Sequence, residues 1–319
     1  KNINLNLKLN YTKIMVIKNL VISGGGPTGF ISLGALKETN RLGYWNLDSL
    51  ESIFSTSIGS FVGFIIQLGY DWKTIEDYLI ERPWDKAFSL IKTDLLDIYK
   101  NKGWDGEEII KIATEPLLRG KNLQEDITLL ELYKITKIEL NFVVTEVNKN
   151  SYLTSEVLSY KRYPNMKINT ALSASMAFPL LFKPINIEDK IYIDGGALQN
   201  YPLSICLNNK KCNEDEILGF KNIWKSKTED LKNSSSLEFT AALLGKIHST
   251  LEFNIKQPNI KNEIISEINL PSRDLLLWWE ILSKKEKRKE LFDQGINDVN
   301  KKTNLLIDLK IDLKHQDQV

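Results

Sequence analysis

The fold follows from the stretch MVIKNLVISGGGPTGF, residues 15–30, in which a β-branched run leads into a glycine-rich loop. Met15–Ser23 predicts a strand, and Phe30–Leu36 takes up the apolar spacing of a helix. The same succession recurs downstream, where the strand Leu50–Ser55 is followed by a buried helix, Ile58–Leu68. Two strand–turn–helix units in succession predict an α/β fold, a three-layer sandwich with a mainly parallel central sheet between helices.

The rest of the chain adds further strands and two helical regions. Asp71–Leu132 is amphipathic and predicts a helical insertion that is broken at Pro83, near Gly103, at Pro116 and around Gly120. Strands are predicted at Glu139–Val147, Tyr152–Ser159, Lys190–Ile193 and Glu216–Ile223, helices at Ile168–Met176, Leu237–Ile255, Arg273–Glu290 and Leu291–Thr303, and a polar linker at Trp224–Ser236. We expect a single domain over residues 1–319, with a core at about 18–223, a C-terminal helical part at 237–303 and flexible tails at 1–14 and 304–319.

Composition narrows the classes of function and the cellular compartment. The 42 basic and 41 acidic side chains leave a formal charge of +1, which provides no field for steering onto nucleic acid. Cys206 and Cys212 are too few for a disulfide framework or a zinc cluster and indicate a reducing, cytoplasmic setting. No window reaches the ~18 apolar residues that span a bilayer, so membrane contact is expected only at the periphery.

The glycine-rich loop Gly24-Gly25-Gly26-Pro27-Thr28-Gly29 has three interpretations. It satisfies the dinucleotide pattern G-x-G-x-x-G, but the second strand then lacks the acidic residue that holds a ribose. Its bare N–H groups at a helix N-terminus also suit an oxyanion hole, which binds a negative charge that forms during a reaction. A plain tight turn is the third interpretation, although three consecutive glycines are more than such a turn needs.

The pentapeptide Ser55-Thr56-Ser57-Ile58-Gly59 lies between the second strand and its helix. A nucleophile elbow places a serine at such a turn and needs small residues two positions before and after it. Ser55 and Gly59 meet that condition, although the first glycine of G-x-S-x-G is absent. The alternative is that Ser57 only caps the helix.

Asp194-Gly195-Gly196 follows a short strand and leaves a carboxylate beside bare backbone. Alone, this motif is typical of a turn. A serine hydroxyl needs a positioned base, most often histidine, and only His248, in a predicted helix, and His315, in the charged C-terminal tail, are available. A Ser-His-Asp triad is therefore disfavoured, and a dyad of Ser57 with Asp194 remains.

With these three sites in this order, the chain resembles patatin-like phospholipases from about Lys18 to Pro202, and more weakly to its end. The residues that carry the resemblance are Gly24, Gly25, Gly26 and Gly29 in the glycine-rich loop, Ser57, Gly59 and Ser60 through Gly69-Tyr70 at the elbow, and Asp194, Gly195 and Gly196 continuing to Asn200 and Pro202. Two further stretches are similar to family segments, namely Ala174–Pro179 with Phe182 and Pro184, and Thr128–Leu132.

The resemblance implies hydrolysis of acyl esters of phospholipids or other lipids through an acyl-serine intermediate, with no metal or other cofactor. It implies Ser57 as nucleophile and Asp194 as general base and acid. The residues expected to form the oxyanion hole are Gly24, Gly25, Gly26 and Gly29, and those expected to support the elbow and the aspartate are Ser55, Gly59, Gly195 and Gly196.

Two positions depart from the family pattern. Thr28 stands where the family usually carries Arg or Lys, and Ser55 replaces a glycine, which is expected to strain the elbow modestly. These departures motivate an alternative function, a lipid-binding or regulatory protein with impaired catalysis.

Leu275-Leu276-Leu277-Trp278-Trp279 is followed by Lys284, Lys285, Lys287, Arg288 and Lys289. Aromatic and basic residues in this order are typical of a helix that binds a membrane surface. The favoured interpretation is a C-terminal helix packed on the core with a solvated basic end.

Overall fold

The computed structural model describes residues 16–88, 102–209, 212–225, 232, 236–254, 258–270 and 275–316. Its strands are β1 Asn19–Ile22, β2 Ser52–Thr56, β3 Glu139–Glu146, β4 Thr154–Leu158, β5 Ile185–Ile187, β6 Lys190–Asp194, β7 Ile217–Trp224 and β8 Glu263–Ile268. They form one sheet in the order β5-β6-β3-β2-β1-β7-β8, with β4 paired to β3. The pairs from β3 through β2, β1 and β7 to β8 are parallel, while β4, β5 and β6 add antiparallel pairs, so the predicted mainly parallel sheet is confirmed.

Helices surround this sheet. They are α1 Gly29–Arg41, α2 Ile58–Gln67, α3 Trp72–Glu76, α4 Trp84–Phe88, α5 Gly106–Gly120, α6 Leu129–Thr136, α7 Ile168–Ser175, α8 Leu203–Asn208, α9 Ser236–Asn254, α10 Leu275–Ser283 and α11 Lys285–Gln316. A π-helical segment, Asp77–Glu81, lies between α3 and α4.

The central strand β1 explains why the layers form. All four of its residues are buried, as expected for a parallel strand covered on both faces. Leu20 and Ile22 belong to the main hydrophobic core, whereas Val21 packs into a second core with Leu203 and Cys206 of α8. Alternate side chains of one strand therefore enter two separate apolar layers, which is the geometry of a three-layer sandwich.

Two strands were not predicted from the sequence. β5 has only three residues, too short for a periodic pattern. β8, Glu263–Ile268, alternates between buried and exposed side chains over its last four residues, and it lies at the edge of the sheet next to β7. Its partner is distant in sequence, and local pattern does not reveal such a pairing.

The predicted break at Pro116 is wrong, because α5 continues through it. A proline inside a helix frees the carbonyl four residues earlier, and here that carbonyl, of Ile112, accepts a hydrogen bond from Arg82 at 3.4 Å. The predicted division between Glu290 and Leu291 is also absent, since α11 runs unbroken from Lys285 to Gln316 and includes residues 304–316 of the expected tail. Residues 1–14 lie outside the described part of the chain.

Candidate active site

Ser57 lies at a sharp turn between β2 and α2. Its backbone has φ 53° and ψ −130°, a conformation that residues other than glycine rarely adopt. A Cβ added at Gly59 would lie 2.6 Å from the carbonyl oxygens of Ile22 and Ser23, so only glycine fits there. Ser57 makes no side-chain capping bond to α2, which leaves its hydroxyl unused by the helix. The predicted strain at Ser55 is wrong, because that residue lies in the strand β2 and has no positive φ.

Ser175, at the end of α7, holds this turn in place. Its hydroxyl oxygen accepts a hydrogen bond from the Ser57 backbone N–H at 3.1 Å and lies 2.8 Å from the Ser60 hydroxyl oxygen. The Ser175 hydroxyl donates to the carbonyl of Val143 at 2.8 Å. Ser175 lies in the family-like stretch Ala174–Pro179, and no role was predicted for it. The turn is therefore tied to β3 by a buried hydroxyl from a third element.

Asp194 is the last residue of β6, and its side chain is buried at 2% exposure. Its Oδ1 accepts a hydrogen bond from the Gly196 N–H at 2.7 Å, whereas its Oδ2 has no hydrogen-bond partner among the described residues. Burial raises the pKa of Asp194 to about 6, and the Ser57 hydroxyl and the Gly196 N–H oppose that rise. No hydrogen bond of standard geometry joins Ser57 to Asp194, but the hydroxyl lies close enough to lower the pKa of the carboxyl.

The strand β3 brings Ser57 and Asp194 together although they are far apart in sequence. Val143 of β3 is in register with Thr56, the residue before Ser57, and Val144 is in register with Asp194. Gly195 fits against the Val143 carbonyl only because it lacks a Cβ. The Ser57 turn and Asp194 are therefore placed on either side of two consecutive residues of β3.

The glycine-rich loop passes beside the elbow. A Cβ added at Gly24 would lie 3.0 Å from the Cβ of Ser57. Gly25 has φ 145° and Gly26 has φ 56°, conformations that favour glycine.

Hydrogen bonding distinguishes the four glycines. The Gly24 N–H donates to the Asn200 carbonyl at 3.0 Å, and the Gly29 N–H is used by the turn that starts α1. Within the part of the chain that the structure describes, the N–H groups of Gly25 and Gly26 donate no hydrogen bond. These two can therefore hold an anion without breaking a bond.

Thr28 stabilises this loop from inside the protein. It is fully buried, and its hydroxyl donates to the Gly25 carbonyl at 3.1 Å. The same oxygen accepts from Nδ2 of Asn222, in β7, at 2.9 Å. Asn222 was not predicted as a site residue. At the position where a cation was expected from the resemblance, a neutral buried pair fixes the loop instead.

An apolar cavity of about 590 Å³ opens beside Ser57. The glycine loop and α2 form one side, and α5 and α10 form others. Its lining includes Gly26, Ile58, Ile110, Met176 and Trp278. A serine hydroxyl at the wall of a cavity of this size and polarity suits a substrate with a long hydrocarbon part.

The helix α10 covers the loop rather than extending into solvent. A Cβ at Gly26 would lie 2.7–2.9 Å from the Trp278 indole, and the Phe178 and Trp278 rings are 5.9 Å apart. Trp279 is 49% exposed.

The basic residues that follow α10 are paired or buried. Lys284 pairs with Glu280 at 2.8 Å, Lys285 pairs with Glu81, and Arg288 is buried. Membrane attachment through this segment stays a prediction.

Two other features bear on the site. Among the described residues, no group of three or more His, Cys, Asp or Glu side chains could hold a metal ion. In that same part of the chain, no helix combines the length and the apolar character needed to cross a membrane. The side chains of His248 and His315 lie outside the described residues.

Comparison with known proteins gives three findings. A family model described as patatin-like phospholipase matches residues 20–207. An uncharacterised protein of Acanthamoeba polyphaga mimivirus is 29% identical over 59% of this chain and 61% of its own length. A protein of Invertebrate iridescent virus 6 named "Probable lipid hydrolase" is 30% identical over 61% of this chain and 65% of its own, so the match spans less than two thirds of either relative.

Two solved structures are similar at lower identity. VipD from Legionella pneumophila is 18% identical, with a TM-score of 0.47 and coverage of 88% of this chain and 67% of that chain. Human GIVD cytosolic phospholipase A2 is 11% identical, with a TM-score of 0.49 and coverage of 95% and 61%.

Proposed function

Because the chain belongs to the patatin-like phospholipase family, we propose that it is a lipid acyl hydrolase in which Ser57 is the nucleophile and Asp194 is the base. The observation that carries this proposal is the unpartnered Oδ2 of the buried Asp194 carboxyl beside a serine on a strained elbow. The adjacent apolar cavity supports a lipid substrate. The lipid hydrolase name of a viral relative points the same way.

In the first half of the reaction, Ser57 Oγ attacks the ester carbonyl carbon while its proton passes to Asp194 Oδ2. The N–H groups of Gly25 and Gly26 then hold the oxyanion, because their hydrogen bonds are otherwise unused. Asp194 returns the proton to the alcohol oxygen, the ester bond breaks, and an acyl-serine remains.

In the second half, water attacks the acyl-serine and Asp194 takes up its proton. Collapse of the intermediate returns that proton to Ser57 and releases the fatty acid. A base with a pKa of about 6 is mostly ionised at neutral pH and still a competent proton donor in the following step, which fits this double role.

The alternative function, a binding protein with impaired catalysis, rested on Thr28 and Ser55. Thr28 fixes the Gly25 carbonyl, and Ser55 lies in a regular strand, so neither residue disrupts the arrangement. Both observations favour the hydrolase.

We also propose that the described C-terminal helices belong to the same catalytic domain as residues 18–223. Trp278 of α10 contributes to the cavity wall beside Ser57, which supports a single unit. A cytoplasmic location stays a prediction from composition.

Covalent labelling and product analysis test the hydrolase. An alkyl fluorophosphonate should label the wild type, and Ser57→Ala should abolish labelling and the release of fatty acid from mixed lipids, measured by mass spectrometry. Ser60→Ala is the matched control, because that hydroxyl lies nearby but is bonded to Ser175, and it should keep labelling. Full esterase activity in purified Ser57→Ala protein would refute the assignment.

A further inference from the structure

The volume of the cavity beside Ser57 limits what it can hold. An apolar protein cavity of ~150 Å³ accepts one benzene, so a bound carbon needs about 25 Å³. The cavity of about 590 Å³ therefore has room for roughly 20–24 carbons. Two long acyl chains together have about 32 carbons or more and exceed that room.

Burial defines a mouth and a closed end. Two large lining residues are exposed, namely Trp104 at 39% and Trp279 at 49%, and they mark the mouth. At the other extreme, the lining residues that are at most 5% exposed include Leu33, Val62, Leu79, Trp84, Ile110 and Ala113. Leu33 and Val62 belong to α1 and α2 beside Ser57, whereas the last four come from three separate segments, the π-helical turn, α4 and α5, which form the buried end.

The buried end is held rigidly. The Tyr78 hydroxyl donates to the Ala113 carbonyl at 2.8 Å, and the Trp84 indole N–H donates to the Leu79 carbonyl at 2.9 Å. The rings of Tyr78 and Trp84 also pack edge to face at 5.5 Å. These bonds connect the three segments, so the end wall resists displacement by a longer ligand.

We propose that the cavity accommodates one fatty acyl chain of roughly 20 carbons, and that the wall at Ala113 sets the greatest chain length. The proposal rests on the proposed function for the orientation of the chain, with its carbonyl at Ser57. Ala113 has the smallest side chain among the four residues of the buried end, so a larger residue there shortens the cavity directly. The outer wall comes from Trp278, Trp279 and Leu282 of α10, beyond residues 20–207 of the family match.

The test measures binding without hydrolysis. Ser57→Ala protein is titrated with saturated fatty acids of about 8 to about 24 carbons, and tryptophan fluorescence reports binding because Trp84, Trp104, Trp278 and Trp279 line the cavity. Each buried methylene should strengthen binding by up to about fourfold until the cavity is full. Affinity should then stop rising at roughly 20 carbons.

Larger residues at Ala113 should move that limit in steps. Ala113→Leu adds three carbons and Ala113→Phe adds six, so affinity should stop rising about three and about six carbons earlier, respectively. Ile112→Phe is the matched control, because Ile112 is on the same helix but does not line the cavity, and it should keep the parent limit. Thermal unfolding checks that each variant folds, and the smaller Leu variant provides the test if Phe does not fit.

The outcomes separate this inference from the proposed function. If the limit is the same in the parent and in both folded Ala113 variants, or if Ile112→Phe moves it equally, the inference is overturned. If the limit moves as expected but wild type releases no fatty acid from any lipid, the inference stands and the hydrolase is wrong. Affinity that does not depend on chain length in the parent would also overturn the inference.

Discussion

At the residue scale, Asp194, the proposed base, carries a cost in stability. Its pKa is about 6 in the folded protein, against 3.8 for an aspartate side chain in water, so the unfolded chain releases the proton more readily. The folded state therefore binds more protons between these values, and its stability falls as pH rises from about 4 to about 6. The difference amounts to about 3 kcal/mol at neutral pH.

We expect Asp194→Asn to abolish ester hydrolysis and to raise the free energy of unfolding at pH 7 by up to about 3 kcal/mol. The amide oxygen can keep the bond from the Gly196 N–H. The advantage should fall to less than about 1 kcal/mol near pH 4, because the carboxyl is then protonated in the folded state and about half protonated in the unfolded state. Urea unfolding at the two pH values measures this, and an equal effect at both would contradict the assigned burial.

Single site residues could be predicted where their neighbours in the sequence mark a strand end. Ser57, Asp194 and the glycine-rich loop each lie at the end of a strand, and bare glycines mark those positions in the sequence itself. The match of the family model to residues 20–207 confirms the resemblance that these motifs carry. Ser175 and Asn222 were not assigned because their bonds, to Ser57 and Thr28, join residues 118 and 194 positions apart. No local pattern records such a contact.

At the scale of elements, the glycine loop and α10 form one contact surface. A Cβ at Gly26 meets the Trp278 ring, and the positive φ adds about 1–2 kcal/mol of backbone strain. We expect Gly26→Ala to lower kcat by roughly 10²-fold or more, since it displaces one of the two proposed oxyanion donors. The steric part of this loss should be relieved by Trp278→Ala in the same chain.

A double-mutant cycle on kcat separates the two causes. Activity of the double variant above that of Gly26→Ala alone would measure the coupling between loop and helix. Strictly additive losses would show that Trp278 does not constrain the loop. Trp278 was predicted to lie on a helix but not over the candidate active site, because tertiary contacts and not local sequence determine what a C-terminal helix packs against.

At the scale of the whole molecule, the C-terminal helices connect to the helical insertion and to α1. Arg288 of α11 is buried and donates to the Ile80 carbonyl at 2.6 Å and to the Leu282 carbonyl at 2.5 Å, so it joins α10 to the helical insertion. The central sheet could be predicted because strand and glycine patterns are local. The packing of α11 beside the cavity could not be predicted. It depends on the buried Arg288, which lies in a run of lysines typical of a solvated surface.

The close contact between α1 and α11 keeps the C-terminal helices packed on the rest of the domain. Gly295 lies against the Ile31 carbonyl, and an added Cβ there would overlap backbone. We expect Gly295→Ala to lower the free energy of unfolding by about 1–3 kcal/mol, because the helices must separate. Asn297→Ala, at an exposed position of α11, should change it by less than about 0.5 kcal/mol. Separation of α11 from α1 should also move α10 away from the cavity. Gly295→Ala should therefore weaken fatty acid binding in buffer without denaturant. Unchanged binding together with lower stability would mean that α10 is held independently of α11.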